Sequence, residues 1–164
     1  MITIRRIQIG EADLLKKVRL IALKDAPHAF STTYDSALQR SAETWREQAE
    51  RSAQGRDRAT FIAFSEDIPI GMVALYRRED KVDVGELLQV WVSRKHRGTS
   101  VATDLTDVIF RWAGENNFRT IIAGVTKGNA RALQFYKKYG FAILDEFSAN
   151  DSDGVYLVKD VQNK

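Results

Sequence analysis

The sequence predicts a mixed α/β fold in which helices pack on a central, mostly antiparallel sheet. Three observations predict it. Short apolar runs alternate at period two, longer ones repeat at helical spacing, and the two kinds follow one another in a definite order. That order is strand, helix, helix, three strands, helix, strand, helix and two strands, so about seven strands and about four flanking helices are expected. One unit, strand-helix-strand over residues 82–125, calls for a parallel crossover. Repeats, linkers and low-complexity tracts are absent, and 164 residues suffice for one core, so a single domain spanning 1–164 is expected.

Ile2, Ile4 and Ile7 alternate with polar residues and make the first strand, closed near Gly10. Residues 11–24 follow as a helix whose apolar stripe is Leu14, Leu15, Val18, Ile21 and Ala22. Pro27 ends it, because proline disfavours helical geometry in its predecessor. The segment from 26 to 45 is expected to face a substrate, and Asp25 just before it and Asp35 within it either attract a cation or are simply solvated. Ser41 is a good N-cap for a helix over 43–53 with Trp45, Gln48 and Ala49 on one face. Residues 60–64 and 70–76 flank a turn composition and form a hairpin. Val82, Val84, Leu88, Val90 and Val92 recur at every second residue with Glu86 in phase, which describes a strand burying one face. Residues 101–113 make the strongest helix, 120–125 a short buried strand, and 129–139 a helix closed by Gly140. Residues 141–147 and 155–161 complete the sheet.

Composition excludes several chemistries. With no cysteine, disulfides, thiolate nucleophiles and cysteine-ligated metals are impossible. His28 and His96 have no companions at metal-ligand spacing, so no metal is expected, and neither sits in a serine-acid triad pattern. No apolar run is long enough for a membrane span, and the start lacks a secretory core, so no membrane contact and a cytoplasmic location are expected. A formal charge of +3 is mild; its one basic cluster, Arg94 to Arg97, comes without aromatic platforms, so no nucleic-acid partner is expected.

The basic cluster leads into Arg97-Gly98-Thr99-Ser100-Val101-Ala102, which joins a buried strand to a helix. Ligands of such sheets gather at the carboxyl ends of strands, where connections diverge. A helix start directs unpaired backbone N–H groups at one spot, Gly98 and the small Ser100 and Ala102 permit close approach, and Arg97 offers a planar fork. A pyrophosphate suits that arrangement. The alternative is a capped helix beside a solvated loop.

These residues resemble the signature of the GNAT superfamily of acyl-CoA-dependent N-acyltransferases: Gln or Arg, two residues, Gly, one residue, Gly or Ala. One departure is Ser100, which stands where the family has its middle glycine; its hydroxyl either bonds the phosphate or caps the helix. A second stretch, from Gly128 to Phe141, resembles the family pattern of Asn (Asn129), Ala (Ala130), aromatic-Tyr (Phe135-Tyr136) and Gly-Phe (Gly140-Phe141). The resemblance covers the last half of the chain. It implies acetyl-CoA as the acyl donor, its pyrophosphate at Arg97, Gly98, Thr99, Ser100, Val101 and Ala102, and its pantetheine along the backbone of Val90, Trp91 and Val92.

Acyl transfer to an amine needs a neutral amine, a stabilised oxyanion and a proton for the departing thiolate. The resemblance places Tyr136 beside the thioester sulfur, where a protonated phenol serves as general acid; the competing reading is a core tyrosine. Glu86, in phase with Val84, Leu88 and Val90, is the candidate base if that apolar face desolvates it. A bulge would reverse that parity, and an ordered water is the alternative base. The implied oxyanion donor is a backbone N–H near Val92. Trp91 either walls the acceptor pocket or belongs to the core, and Asn129 either contacts the cofactor or caps its helix. The expected activity is an N-acetyltransferase joining acetyl-CoA and a primary amine, small molecule or peptide, in a ternary complex. The alternative is a non-catalytic acyl-CoA-binding module. A homodimer through strand 155–161 is also expected.

Overall fold

The structure is a computed structural model that describes residues 1–27, 29–30, 32–144 and 154–161. Its elements run β1 (Ile2–Arg6), α1 (Ala12–Asp25), α2 (Tyr34–Leu38), α3 (Ala42–Ala53), β2 (Arg58–Ser65), β3 (Ile68–Arg77) and β4 (Val84–Val92). A single 3-10 turn (Arg94–His96) leads to α4 (Val101–Glu115), β5 (Thr120–Thr126), α5 (Ala130–Tyr139), β6 (Ala142–Ile143) and β7 (Gly154–Asp160). The strands form a 7-stranded sheet in the order β1-β2-β3-β4-β5-β7-β6. Every neighbouring pair is antiparallel except β4 and β5, which are parallel as the crossover requires. The mixed, mostly antiparallel α/β fold is therefore as expected, with α2 as an unforeseen extra helix.

Each face of the sheet carries its own core. α4 lays Val101, Leu105, Ile109 and Trp112 on one face, and Tyr136 of α5 and Phe141 extend that layer. On the other face, Leu15, Val18, Ala22 and Leu23 of α1 pack with Trp45 and Ala49 of α3 over Ile62, Met72 and Trp91. The α1 stripe differs from expectation at one residue. Ile21 is 38% exposed, because it lies two turns beyond the half-buried Leu14 at the stripe's edge, while Arg19 occupies the buried centre.

Helix ends follow local chemistry. Ser41 Oγ accepts from Thr44 N at 3.1 Å, the expected cap of α3. α2 starts on Thr33, whose hydroxyl accepts from Ser36 N. α5 ends on Gly140 at φ 121°, with Gly140 N and Phe141 N both donating to Tyr136 O.

Two strand expectations need correction. Val82 is exposed in the turn before β4, so that strand begins at Val84. The second correction bears on the site. Three residues of β3, Met72 to Ala74, stand opposite four of β4, Leu88 to Trp91, so β4 carries a bulge. Gln89 sits in it at φ 59°. Side-chain parity reverses there: Leu87 faces the α4 core, Trp91 faces the α1 core, and Val90 and Val92 turn toward α4. The uninterrupted alternation from Val84 to Val92 thus hides a change of face. β7 lies between β5 and β6, and among the described residues β6 pairs with it only at Leu157 and Val158. Of the stretch expected as a strand over 141–147, Ala142 and Ile143 form β6, whereas 145–147 lie outside the described residues. No described helix is long and apolar enough to cross a membrane.

Candidate active site

β4 and β5 hydrogen-bond only from Val84↔Thr120 to Leu87↔Ala123. Beyond that point the bulge bends β4 away, and a cleft of about 1500 Å³ opens between the two strands. Its lining includes Glu86 to Val92 of β4, Gly124 to Thr126 at the end of β5, the turn before α4, and the first residues of α5. The opposite wall comes from α1 and the loop after it, through Arg19, Ala26, Phe30 and Thr32. Of the segment 26–45 expected to face a substrate, the part up to Thr32 lines this cleft, whereas α2 and the start of α3 do not.

The turn before α4 fits an anion. Among the described residues the backbone N–H groups of Gly98, Ser100, Ala102 and Thr103 have no hydrogen-bond partner. Gly98 adopts φ 80°, a left-handed conformation that favours glycine, with open space where a Cβ would stand. Ser100 has φ −78°, so its backbone needs no glycine. Its hydroxyl donates to Asp104 Oδ2 at 2.9 Å and does not cap the helix, contrary to one expected role. Thr99 Oγ1 donates to His96 O, and the ring Nδ1 of His96 pairs with Ser93 Oγ at 2.8 Å. His28 lies outside the described residues.

Arg97 departs from expectation. Its Nε donates to Val92 O at 3.1 Å and its Nη2 to Asp25 Oδ2 at 3.0 Å, so the fork ties the turn to the end of α1. Asp25 also accepts from Trp91 Nε1 at 2.9 Å and pairs with Arg94 at 3.2 Å. That carboxylate is already matched by cations, which corrects the expectation that Asp25 attracts a cationic ligand. Asp35 is exposed on α2 and does not line the cleft. Trp91 belongs to the α1 core and also borders the cleft.

Tyr136 projects from α5 into the boundary between core and cleft. Phe135 and Phe141 meet its ring edge-on, at centroid distances of 5.5 and 5.2 Å. Burial pushes its phenol well above the ordinary value, and its hydroxyl has no hydrogen-bond partner among the described residues. Asn129 Oδ1 accepts from Ala132 N at 3.2 Å; the capping role is filled, and the residue also borders the cleft. Glu86 stands in the cleft on the face opposite Val90, with its side chain 43% exposed and its carboxylate 3.8 Å from Arg78. The apolar, desolvated setting expected for it is not present, since the bulge carries Val90 and Val92 to the other face.

Sequence reasoning missed three contributors. Arg19 is buried, 5% exposed, in the wall of the cleft. Its signal was available: it sits four residues after Leu15 and four before Leu23, at the centre of an apolar stripe. Tyr156, opposite Gly124 in the β5–β7 ladder, and the bulge residue Gln89 also line the cleft. A carbonyl oxygen of Gln89, Oε1, is buried without a partner.

An open α/β sheet split between β4 and β5, with unpaired backbone amides in the turn at the split, is the architecture shared by the proteins to which this chain is similar. The chain belongs to the acetyltransferase (GNAT) family, whose model matches residues 20–141. Solved structures share the fold. A GNAT-family acetyltransferase from Streptococcus pneumoniae superposes with a TM-score of 0.80 at 19% identity, over 99% of this chain and 100% of that one. The PaiA N-acetyltransferase of Thermoplasma acidophilum, solved in complex with coenzyme A, gives 0.79 at 20% identity, covering 98% and 99%. The GNAT domain of S. lividans PAT gives 0.77 at 21%, covering 96% and 89%. No curated protein matches the sequence significantly.

Proposed function

We propose that residues 1–164 form a single acetyltransferase domain that binds acetyl-CoA in the β4–β5 cleft and acetylates a primary amine directly in a ternary complex. The observation that carries this reading is the set of four N–H groups at Gly98, Ser100, Ala102 and Thr103, unpaired among the described residues on a helix start, with Gly98, Ala102 and Thr103 lining the cleft. A pyrophosphate satisfies them. The β5-facing backbone of Val90, Trp91 and Val92, beyond the last ladder pair, suits the amides of a pantetheine arm, as an added strand would. Acetyl-CoA supplies an acyl group activated as a thioester.

The chain's own groups then divide the work. Tyr136, held protonated by burial, hydrogen-bonds and protonates the departing thiolate. A backbone N–H near Val92 stabilises the developing oxyanion. Glu86, or a water it orders, takes the proton of the attacking amine; its exposure makes contact with water direct. The amine attacks the thioester itself, and with no cysteine in the chain a cysteine acyl-enzyme is impossible.

Calorimetric titration of acetyl-CoA into the protein, beside a pantetheine-only control, tests the reading without knowledge of the amine. Saturable one-site binding, weaker by about tenfold or more for the control, is expected. The absence of binding at millimolar ligand would overturn it.

A further inference from the structure

Arg19 is buried on α1, yet among the described residues no carboxylate pairs with it and none of its donors is used in a hydrogen bond. Its Nη1 is shut off from solvent without a partner. The guanidinium stacks on Phe30 at 4.7 Å, and its titratable neighbours are Tyr76 and a second cation, Arg40. Arg40 is itself stacked on Trp45 at 4.2 Å and donates to Gln48 Oε1 at 2.6 Å, while Gln48 Nε2 donates to the Tyr76 hydroxyl. Two guanidiniums, three rings and an amide thus share one corner, with no acid among these described residues. Burying an unpaired charge is costly, and a fold gains nothing from it.

The position explains what the charge is for. Both Arg19 and Phe30 line the β4–β5 cleft from the α1 side. The unpaired amides of the α4 turn and Tyr136 line it from the other side, where the donor is placed. The α1 mouth remains for the second substrate, and Asp25, the acid nearest that mouth on α1, is already paired with Arg94 and Arg97.

We propose that Arg19, stacked on Phe30, is the specificity residue that receives a carboxylate of the acceptor, so that the amine acetylated here belongs to an amino acid or a short peptide with a free carboxyl group. This rests on the acetyl-CoA reading above. A planar fork matches a carboxylate bidentately, and the stacked ring holds the fork in place. The acceptor's amine then reaches the β4 wall, where Glu86 stands on the same side of the sheet.

The test follows thiol release from acetyl-CoA with matched pairs: α-amino acids, ω-amino acids and dipeptides, each against its carboxamide. Wild type, Arg19→Lys and Arg19→Met are compared, with acetyl-CoA affinity measured first in each. At least one free acid is expected to exceed its amide in kcat/KM by about a hundredfold, since a site built to bond a polar group rejects the analogue lacking it. Arg19→Met brings that ratio near one, with the acetyl-CoA Kd unchanged; Arg19→Lys keeps part of the preference. Arg19→Met is expected to melt no lower than wild type, because it removes an uncompensated charge, whereas a purely structural arginine would lower the melting point and all rates alike. Equal use of acids and amides, a preference that survives Arg19→Met, or acetyl-CoA binding with no carboxyl-bearing amine acetylated would each overturn the inference. Failure to bind acetyl-CoA overturns the underlying reading as well, and is seen before any amine is added.

Discussion

Two buried polar side chains face the same cleft and are kept by opposite means. Arg19 stays charged: burial pulls its guanidinium down to about 10, still above neutral pH. Tyr136 stays neutral, because desolvation raises its phenol; that direction keeps the proton on it at neutral pH while making it a weaker acid toward a thiolate. The sign has consequences for pH. A phenol whose folded value is raised adds no pH dependence to stability below the ordinary value of about 10, and costs stability only as pH climbs past it. If Tyr136 is the acid, kcat should show no loss on the alkaline side up to about pH 9.5, so the rising limb belongs to the amine and its base. Tyr136→Phe should lower kcat by about 10²-fold with acetyl-CoA affinity unchanged. A pH–rate profile of both proteins checks this, and a variant retaining full kcat would return Tyr136 to the core as one more aromatic beside Phe135 and Phe141.

At the scale of elements, the bulge in β4 separates what local pattern reveals from what it conceals. The order of strands and long helices was legible because each carries its own period and its own punctuation, such as Ser41 before α3 and Gly140 after α5. α2 was not: a helix of 5 residues has too few turns to show a stripe. The bulge was not either, since one extra residue leaves an alternating row alternating while moving its second half to the other face. That slip decides the environment of Glu86 and sends Trp91 to Asp25. Gln89 occupies a left-handed conformation with a buried, unpartnered side-chain oxygen, two local costs concentrated where the strands part. Gln89→Gly should therefore raise unfolding free energy by about 1 kcal/mol in chemical denaturation. A loss of stability instead would mean that the Gln89 side chain holds the bulge in place. Deleting Gln89 should abolish folding, because it returns Val90 and Trp91 to the wrong cores.

Over the whole molecule, the sheet consists of two antiparallel units, β1 to β4 and β5 to β6, joined by the short parallel ladder between β4 and β5. The donor side of the resulting cleft was legible in sequence because one contiguous turn builds it. The acceptor side was legible only in part: Glu86 and the segment holding Phe30 were named, whereas Arg19 and Tyr156 were not, because the four come from distant parts of the chain. Above Leu87 and Ala123 the two units share no ladder, so this seam should open more easily than the strands on either side. A ligand whose pyrophosphate sits on the α4 turn and whose amides pair along Val90 to Val92 would bridge it. At a hundredfold excess over Kd, such binding adds about 2.7 kcal/mol, roughly 5–10 °C in melting temperature for a chain of this size. The location of the effect is the sharper expectation. Hydrogen exchange should slow at Gln89 to Val92, Gly124 to Thr126 and Gly98 to Thr103, and remain unchanged in β1 and β2, which never meet the cleft. Protection spread evenly over the sheet would mean that acetyl-CoA stabilises the chain without closing the seam, and the pantetheine pairing along β4 would have to be given up.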